Sequence, residues 1–237
     1  MAGLLALMQE ERVSHTLCVP SLYKVMLEES ERISLDSLAV VTVAAEPSDA
    51  ALVEMHERRF PKVPLVNEYG PTEATVWASA GHLLQQAGPI TVGAPIAGAR
   101  IEIRTPSGAQ LPLGWPGELW IGGAGVASGY LNRPQETAAR FVARAGERYY
   151  RTGDRARILP TREVELLGRV DNQIKLRGYR IEPEEIEQVL LAHPAVAEAA
   201  VVVQRQAPSV EMLRDALVGR VDALELIDTT VNGSAQS

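Results

Sequence analysis

Seven consecutive residues, Asn67-Glu68-Tyr69-Gly70-Pro71-Thr72-Glu73, place an amide, two carboxylates, an aromatic ring and a hydroxyl on one stretch broken by Gly-Pro. A nucleotide calls for such groups: a flat surface for the base, a polar partner for its edge, a donor for phosphate oxygen, and a hard oxygen ligand for Mg²⁺. The same residues also suit an ordinary loop punctuated by glycine and proline. A second cluster is Tyr150-Arg151-Thr152-Gly153-Asp154, followed by Gly168-Arg169-Val170-Asp171. A carboxylate can accept both hydroxyls of a ribose, and an arginine such as Arg169 can address a phosphate or the sugar. Its alternative is a pair of solvated charges on a β surface. A third segment, Gly122-Gly123-Ala124-Gly125-Val126-Ala127-Ser128-Gly129, imitates a dinucleotide fingerprint but fails as one. Ser128 stands at the third glycine position, and Tyr130-Leu131-Asn132-Arg133-Pro134 interrupts the chain where a helix would begin. Those glycines read as backbone freedom in a tight β turn.

The elements that position these residues can be read from pattern. Residues 4–12 predict a helix, and 15–19 a short strand closed by Pro20. Ser21 is placed to cap a helix through residue 27. Residues 38–44 form a β-branched apolar run, as in a strand covered on both faces. Ser48 or Asp49 caps a helix to about Phe60, and residues 64–67 lead into another strand end. Strand, helix, strand in this order predicts an α/β fold with a parallel, doubly wound sheet. Ligands of such sheets sit beyond the carboxyl ends of the strands, which directs attention to Glu46 and to residues 67–73. From Gly98 the texture becomes β-rich, with strands at 101–104 and 117–121, a short helix at 134–141, and further strands from Tyr149. Beyond Arg169 a β-β-α-β pattern predicts a small unit: strands 173–176 and 179–181 around Gly178, a helix opened by Pro183, and a strand at 199–203. The expected division is therefore 1–97, 98–170, 171–205, and a divergent tail, 206–237.

Bulk properties narrow the function classes. The 237 residues are 46% hydrophobic and carry a formal charge of −7. That suffices for a core and disfavours nucleic acid or an anionic membrane as partner. Cys18 is the only cysteine, and His15, His56, His82 and His193 show no paired metal-ligand spacing. No apolar run reaches the roughly 20 residues of a membrane helix. The first residues lack the features of a signal peptide, so a cytoplasmic location is expected.

Taken in order, the clusters resemble the adenylate-forming (AMP-binding) enzymes, and within them the adenylation domains of nonribosomal peptide synthetases. Residues 67–73 resemble the family's Tyr-Gly-Pro-Thr-Glu motif, and GELWIGGAGVASGYL (117–131) its Gly-Glu-Leu segment. YRTGD (150–154) and GRVDNQIKLRGYRIEPEEIE (168–187) resemble the next two motifs. The likeness covers roughly residues 1–205. It implies part of the adenylate-forming fold: a parallel sheet with helices, a β-rich subdomain, and a small C-terminal α+β domain.

The resemblance implies that ATP and an amino acid form an aminoacyl-adenylate, which passes to the phosphopantetheine thiol of a peptidyl carrier domain. By the same likeness Tyr69 stacks on adenine, Asn67 bonds its edge, Thr72 contacts the α-phosphate, and Glu73 holds Mg²⁺. Asp154 binds the ribose hydroxyls with Arg169 nearby. Asp171 is the hinge of the small domain, whose Gly178 loop faces the thiol. Leu17, Thr42, Ala44, Glu68, Val76 and Trp77 fall at pocket positions. Trp77 limits pocket size, while Glu68 either favours a basic or amide-bearing side chain or points to solvent. The family's phosphate loop, the motif carrying the amino-group aspartate, and the final lysine motif do not occur in this sequence. The expectation is that the chain alone adenylates little, since a lost transition-state charge costs roughly a hundred- to a thousandfold in rate. A further expectation is an uncovered sheet edge, met by poor solubility or by a partner chain supplying the N-terminal half. Other readings are an acyl-CoA or aryl-acid ligase, and a non-catalytic remnant or interaction module.

Overall fold

Prolines and β-branched runs lay out the first layer in the computed structural model, which describes residues 1–30, 33–84, 88–144, 146–176, 179–193 and 196–201. Helix α1 (Ala2–Glu10) leads to strand β1 (His15–Cys18), helix α2 (Pro20–Glu29), strand β2 (Val40–Ala44), helix α3 (Ala50–Arg59) and strand β3 (Leu65–Tyr69). Strands β1, β2 and β3 pair in parallel. Strands β4 (Ser79–His82) and β5 (Ala94–Pro95) extend the sheet antiparallel, giving the order β1-β2-β3-β4-β5. The strand order is thus sequential, without the reversal that a doubly wound sheet requires. Tyr23 on α2 bonds His56 on α3, so both crossover helices share one layer.

That layer holds the first core. Leu5 and Met8 of α1 join Tyr23, Met26 and Leu27 of α2, Leu52 of α3, and Val41, Val43 and Leu65 of the sheet. Each such side chain contributes about 1.5–3 kcal/mol on burial. His56 is fully buried among them. Its Nε2 donates to the Val63 carbonyl at 2.7 Å, and its Nδ1 accepts from the Tyr23 hydroxyl at 2.6 Å. Burial pushes its pKa down, consistent with this neutral tautomer.

Capping follows chemistry with one correction. Asp49 caps α3 by accepting from Leu52 N–H at 2.9 Å. Ser21 does not cap α2: Pro20 already occupies the first turn, and Val19 is the extended residue before it. Proline's fixed φ ends the strand and starts the helix in one step.

The second sheet comprises β6 (Ala99–Arg104), β7 (Gly117–Gly123), β9 (Glu147–Ile158) and β10 (Val164–Arg169) in the order β10-β9-β7-β6, with β8 (Phe141–Arg144) paired to β9. Helix α4 (Pro134–Arg140) precedes β8, which the sequence pattern did not separate from the helix. Ile101, Ile103, Leu119, Ile121, Ala156 and Val164 form the second core. Tyr69, at the end of β3, and Ala74 and Ala78, from the turn after it, are buried in the same cluster. The second core is therefore what seats that turn.

Strands β11 (Ile174–Leu176) and β12 (Tyr179–Ile181) pair antiparallel. Backbone contacts divide the chain into Met1–Ile181 and Glu182–Ser237. In the second unit, helix α5 (Pro183–Leu191) opens on Pro183 with Glu184 and Glu185 in its first turn, which suits the helix dipole. The strand expected over 199–203 is not formed over residues 199–201. There the Val201 N–H is taken by the Glu187 side chain at 2.8 Å instead of by a strand partner. Residues 202 and 203, Gly178 and the tail 206–237 lie outside the described residues.

Candidate functional site

The turn after β3 is fixed mainly by its backbone. Residues Thr72–Ala74 make one 3₁₀ turn. Ala74 N–H and Val76 N–H both donate to the Pro71 carbonyl, Trp77 N–H donates to Thr75, and Ala78 N–H returns to Tyr69. A side chain at position 70 would strike the Val76 carbonyl, so glycine is required there. Thr75 and Val76 have φ of 59° and 69°. These left-handed values are costly for β-branched residues. The strain is held by the bonds around it, including Thr75 Oγ1 to the Gly125 carbonyl at 2.7 Å. It turns Val76 and Trp77 outward, 57% and 48% exposed. Beside them lies an apolar cavity of about 230 Å³, lined by Thr75, Trp77, Ile96, Ile121 and Val126 among others. None of Tyr69, Thr72 and Asp154 lines it.

Asp154 is delivered by a bulge. Strand β7 pairs Glu118 with Arg155 and Trp120 with Arg151, so residues 152–154 of β9 lie opposite Leu119 alone. Thr152 Oγ1 donates to the Leu119 carbonyl at 2.7 Å and accepts from Asp154 N–H at 2.9 Å. Gly153 takes φ 73°, and a side chain there would collide with the Arg169 and Asp171 side chains. The Thr-Gly of YRTGD is therefore the device that bends the strand and re-aims the aspartate.

Tyr69 donates its hydroxyl to Asp154 Oδ2 at 2.5 Å, and Arg169 Nη1 meets Oδ1 at 2.7 Å. Burial, then the Asp154 charge, pushes the Tyr69 phenol well above its usual pKa, so it remains a donor. A carboxylate offers about four acceptor positions. One on each oxygen of Asp154 is left, which suits two vicinal hydroxyls. Arg169 also bonds Asp171 through Nε at 2.6 Å and Nη2 at 2.8 Å, and Arg140 Nη2 adds a contact at 3.2 Å. Burial by itself raises the Asp171 pKa, but these guanidinium groups bring it below the ordinary value.

Glu73 is 8% exposed. Its Oε1 accepts the hydroxyls of Tyr130 at 2.6 Å and Tyr150 at 2.8 Å. Thr72 is exposed at the start of the 3₁₀ turn. Asn67 is buried, with its amide nitrogen donating to the Thr91 carbonyl at 2.8 Å.

The remaining positions expected to line a substrate pocket, Leu17, Thr42, Ala44 and Glu68, share one sheet face. Register places Leu17 beside Thr42 and Val66, and Ala44 beside Glu68 and Ala80. Alternation sets these opposite Val41, Val43, Asn67 and Tyr69. Val41 and Val43 are fully buried, whereas Thr42, Ala44 and Glu68 are half-buried and Leu17 is 54% exposed. Glu68 Oε2 is buried without a hydrogen-bond partner, so this oxygen does not point to solvent. Burial raises the Glu68 pKa.

The structure thus brings Tyr69, Asp154, Arg169 and Asp171 into one bonded chain, with Glu73 tied to β9 through Tyr150. It sets Leu17, Thr42, Ala44 and Glu68 on a separate sheet face, and leaves Val76 and Trp77 on the strained turn. Sequence reasoning passed over Tyr130, Tyr150 and Arg140. The signal for the first two was a tyrosine inside each quoted segment, at the end of the glycine-rich run and at the start of YRTGD.

The α/β sheet and the second, β-rich sheet make up part of an adenylate-forming enzyme fold, as their likeness to solved structures shows. The chain belongs to the AMP-binding enzyme family, whose model matches residues 1–131. It is similar to Bacitracin synthase 3 of Bacillus licheniformis, at 42% identity over 84% of this chain and 3% of that protein. It is also similar to Gramicidin S synthase 2 of Brevibacillus brevis, at 39% identity over 93% of this chain and 5% of that protein. Among solved structures it resembles PA1221, an NRPS protein containing adenylation and PCP domains. The TM-score is 0.76 at 29% identity, covering 86% of this chain and 42% of that one. The chain therefore spans a small part of the synthases it matches and less than half of the solved protein.

Proposed function

We propose that this chain forms part of an ATP-dependent amino-acid-activating site in a nonribosomal peptide synthetase. There an aminoacyl-AMP is made and its acyl group passes to the phosphopantetheine thiol of a peptidyl carrier domain. The observation that carries this reading is the hydrogen bond from Tyr69 to Asp154, which unites the strand-end turn with the YRTGD bulge. The likeness to peptide synthases supports it.

On this reading Asp154 receives the ribose hydroxyls at its two remaining acceptor positions, and Arg169 holds it in orientation. Tyr69 and Asn67 address the base, and Thr72, exposed at the turn, offers its hydroxyl to the α-phosphate. Among the described residues no cluster of three or more acidic, histidine or cysteine side chains could hold a metal. Mg²⁺ suits the site nonetheless, because it takes one or two carboxylates and otherwise water and substrate phosphates. Glu73 would hold it, and the ion would neutralise phosphate charge. The amino acid's carboxylate attacks the α-phosphorus, and pyrophosphate leaves. The protein's share is positioning and charge stabilisation.

The open face bearing Leu17, Thr42, Ala44 and Glu68 receives the amino-acid side chain, with Val76 and Trp77 at its border. Glu68 on that face favours a cationic or amide-bearing one. Residues 1–97 and 98–170 form two parts of a large subdomain. Asp171 is the hinge to a small one reaching residue 205. The phosphate loop and final lysine would come from sequence outside these 237 residues, in the same polypeptide or in a partner chain. The site would operate in the cytoplasm, where ATP and amino acids are available.

Calorimetry with a nonhydrolysable aminoacyl-adenylate mimic tests this reading. The unaltered chain should bind it, and Asp154→Asn should weaken binding roughly tenfold or more, since hydrogen bonds to a charged group contribute about 1.5–3 kcal/mol. Absence of binding, or equal binding by both proteins, would refute it.

A further inference from the structure

The glycine-rich run that fails as a dinucleotide fingerprint does something else in the folded chain: it lies along the turn that carries Glu73. Ala127 N–H donates to the Glu73 carbonyl at 2.9 Å, and the Gly125 carbonyl accepts the Thr75 hydroxyl. The run ends at Tyr130, whose hydroxyl reaches Glu73 Oε1 at 2.6 Å. Tyr150 arrives at the same oxygen from β9 at 2.8 Å, and the two phenol oxygens are 3.4 Å apart.

Both rings are locked. Phe141 stands between them, edge-on to Tyr130 at 5.3 Å and tilted against Tyr150 at 5.1 Å. Tyr130 N–H is held by Thr137 Oγ1 of α4 at 2.9 Å, and Tyr150 is fully buried. Two fixed donors on one carboxylate oxygen set the plane of the group and hence the direction of its other oxygen. A ligand group is held to productive geometry by such outer partners.

We propose that Tyr130 and Tyr150 are positioning residues that aim the Glu73 carboxylate at a divalent cation carried by the nucleotide; this rests on the reading of Glu73 as the metal-holding group. Neither tyrosine touches the cation or the phosphates; they act through Glu73.

The test uses the 237-residue chain with Mn²⁺ as the probe ion and ATP as the nucleotide, followed by water-proton relaxation enhancement. ATP binding is measured separately in excess chelator. Replacing both tyrosines by phenylalanine should raise the half-saturating concentration of Mn²⁺·ATP roughly tenfold, the lower end for outer-shell ligand partners. Binding of metal-free ATP should be unchanged. Equal weakening of both forms, or of neither, would mean that the hydroxyls only hold the fold or do nothing for the ion, and overturns the proposal. Glu73→Gln separates the two levels. If it leaves Mn²⁺·ATP binding intact, the reading of Glu73 fails and this inference with it. If it abolishes the metal-dependent gain while the double variant keeps it, only the role of the tyrosines fails. Should the double variant lose its cooperative melt, Tyr130→Phe, with its ring half-buried, is judged by the same split.

Discussion

Two carboxylates of the site invite comparison, Asp154 at 7% exposure and Glu73 at 8%. Each accepts a tyrosine hydroxyl. Asp154 also faces the guanidinium of Arg169, which reaches on to Asp171, whereas the hydroxyls on Glu73 belong to two neutral phenols. The first arrangement makes an ion-pair chain in which one arginine serves two aspartates. The second directs a carboxylate with groups that carry no charge. Breaking a buried ion pair leaves a bare charge, whereas removing a neutral donor removes one hydrogen bond among several.

The largest expected effect therefore falls on the arginine. Arg169→Met should destabilise the chain by about 3–5 kcal/mol, the range for losing one partner of a buried pair. The midpoint of urea unfolding measures it. Tyr150→Phe should cost about 1–3 kcal/mol in the same experiment, because one hydrogen bond to a charged group is lost while Tyr130 remains. Equal losses for the two variants would erase the distinction between the carboxylates.

The smallest effect is on acid stability. The folded-state pKa of Asp171 lies below its unfolded value. Its contribution is thus fully present above about pH 4, near the ordinary aspartate value, and is lost as pH falls through the depressed folded value. Arg140→Gln, which removes one of its two guanidinium partners, should shrink this acid-dependent part and leave stability at pH 7 less affected than Arg169→Met does. Unfolding followed from pH 7 to pH 3 reads the difference, and parallel profiles for the two proteins would count against the ion-pair chain.

Much of this was legible from residue order. The alternation of apolar runs with Pro20, Asp49 and Pro183 marked β1 through β3, α3 and α5. The segments around Tyr69, Asp154 and Arg169 stand out in the sequence because their groups suit a nucleotide, and the structure bonds those three residues together. What escaped was set by tertiary pairing. Ser79–His82 has no strong strand composition and becomes β4 because Ala80 and Gly81 find partners on β3. Of residues 199–201 only Val201 has a β-branched side chain, and none of the three finds a strand partner among the described residues. The tyrosines on Glu73 were hidden for another reason. Separations of 57 and 77 residues to their shared acceptor leave no local trace. Arg140 likewise meets Asp171 only across a separation of 31 residues.

The turn after β3 also decouples two jobs. Its path from Gly70 to Ala78 is secured almost wholly by main-chain bonds, so little in its shape depends on which side chains stand at positions 76 and 77. Those two positions can be exchanged for other sizes and polarities while the carboxylate three residues upstream keeps its place. If these positions border the amino-acid pocket as proposed, substrate choice there is open to redesign one residue at a time, and a small residue tolerant of left-handed backbone at position 76 would even relieve strain.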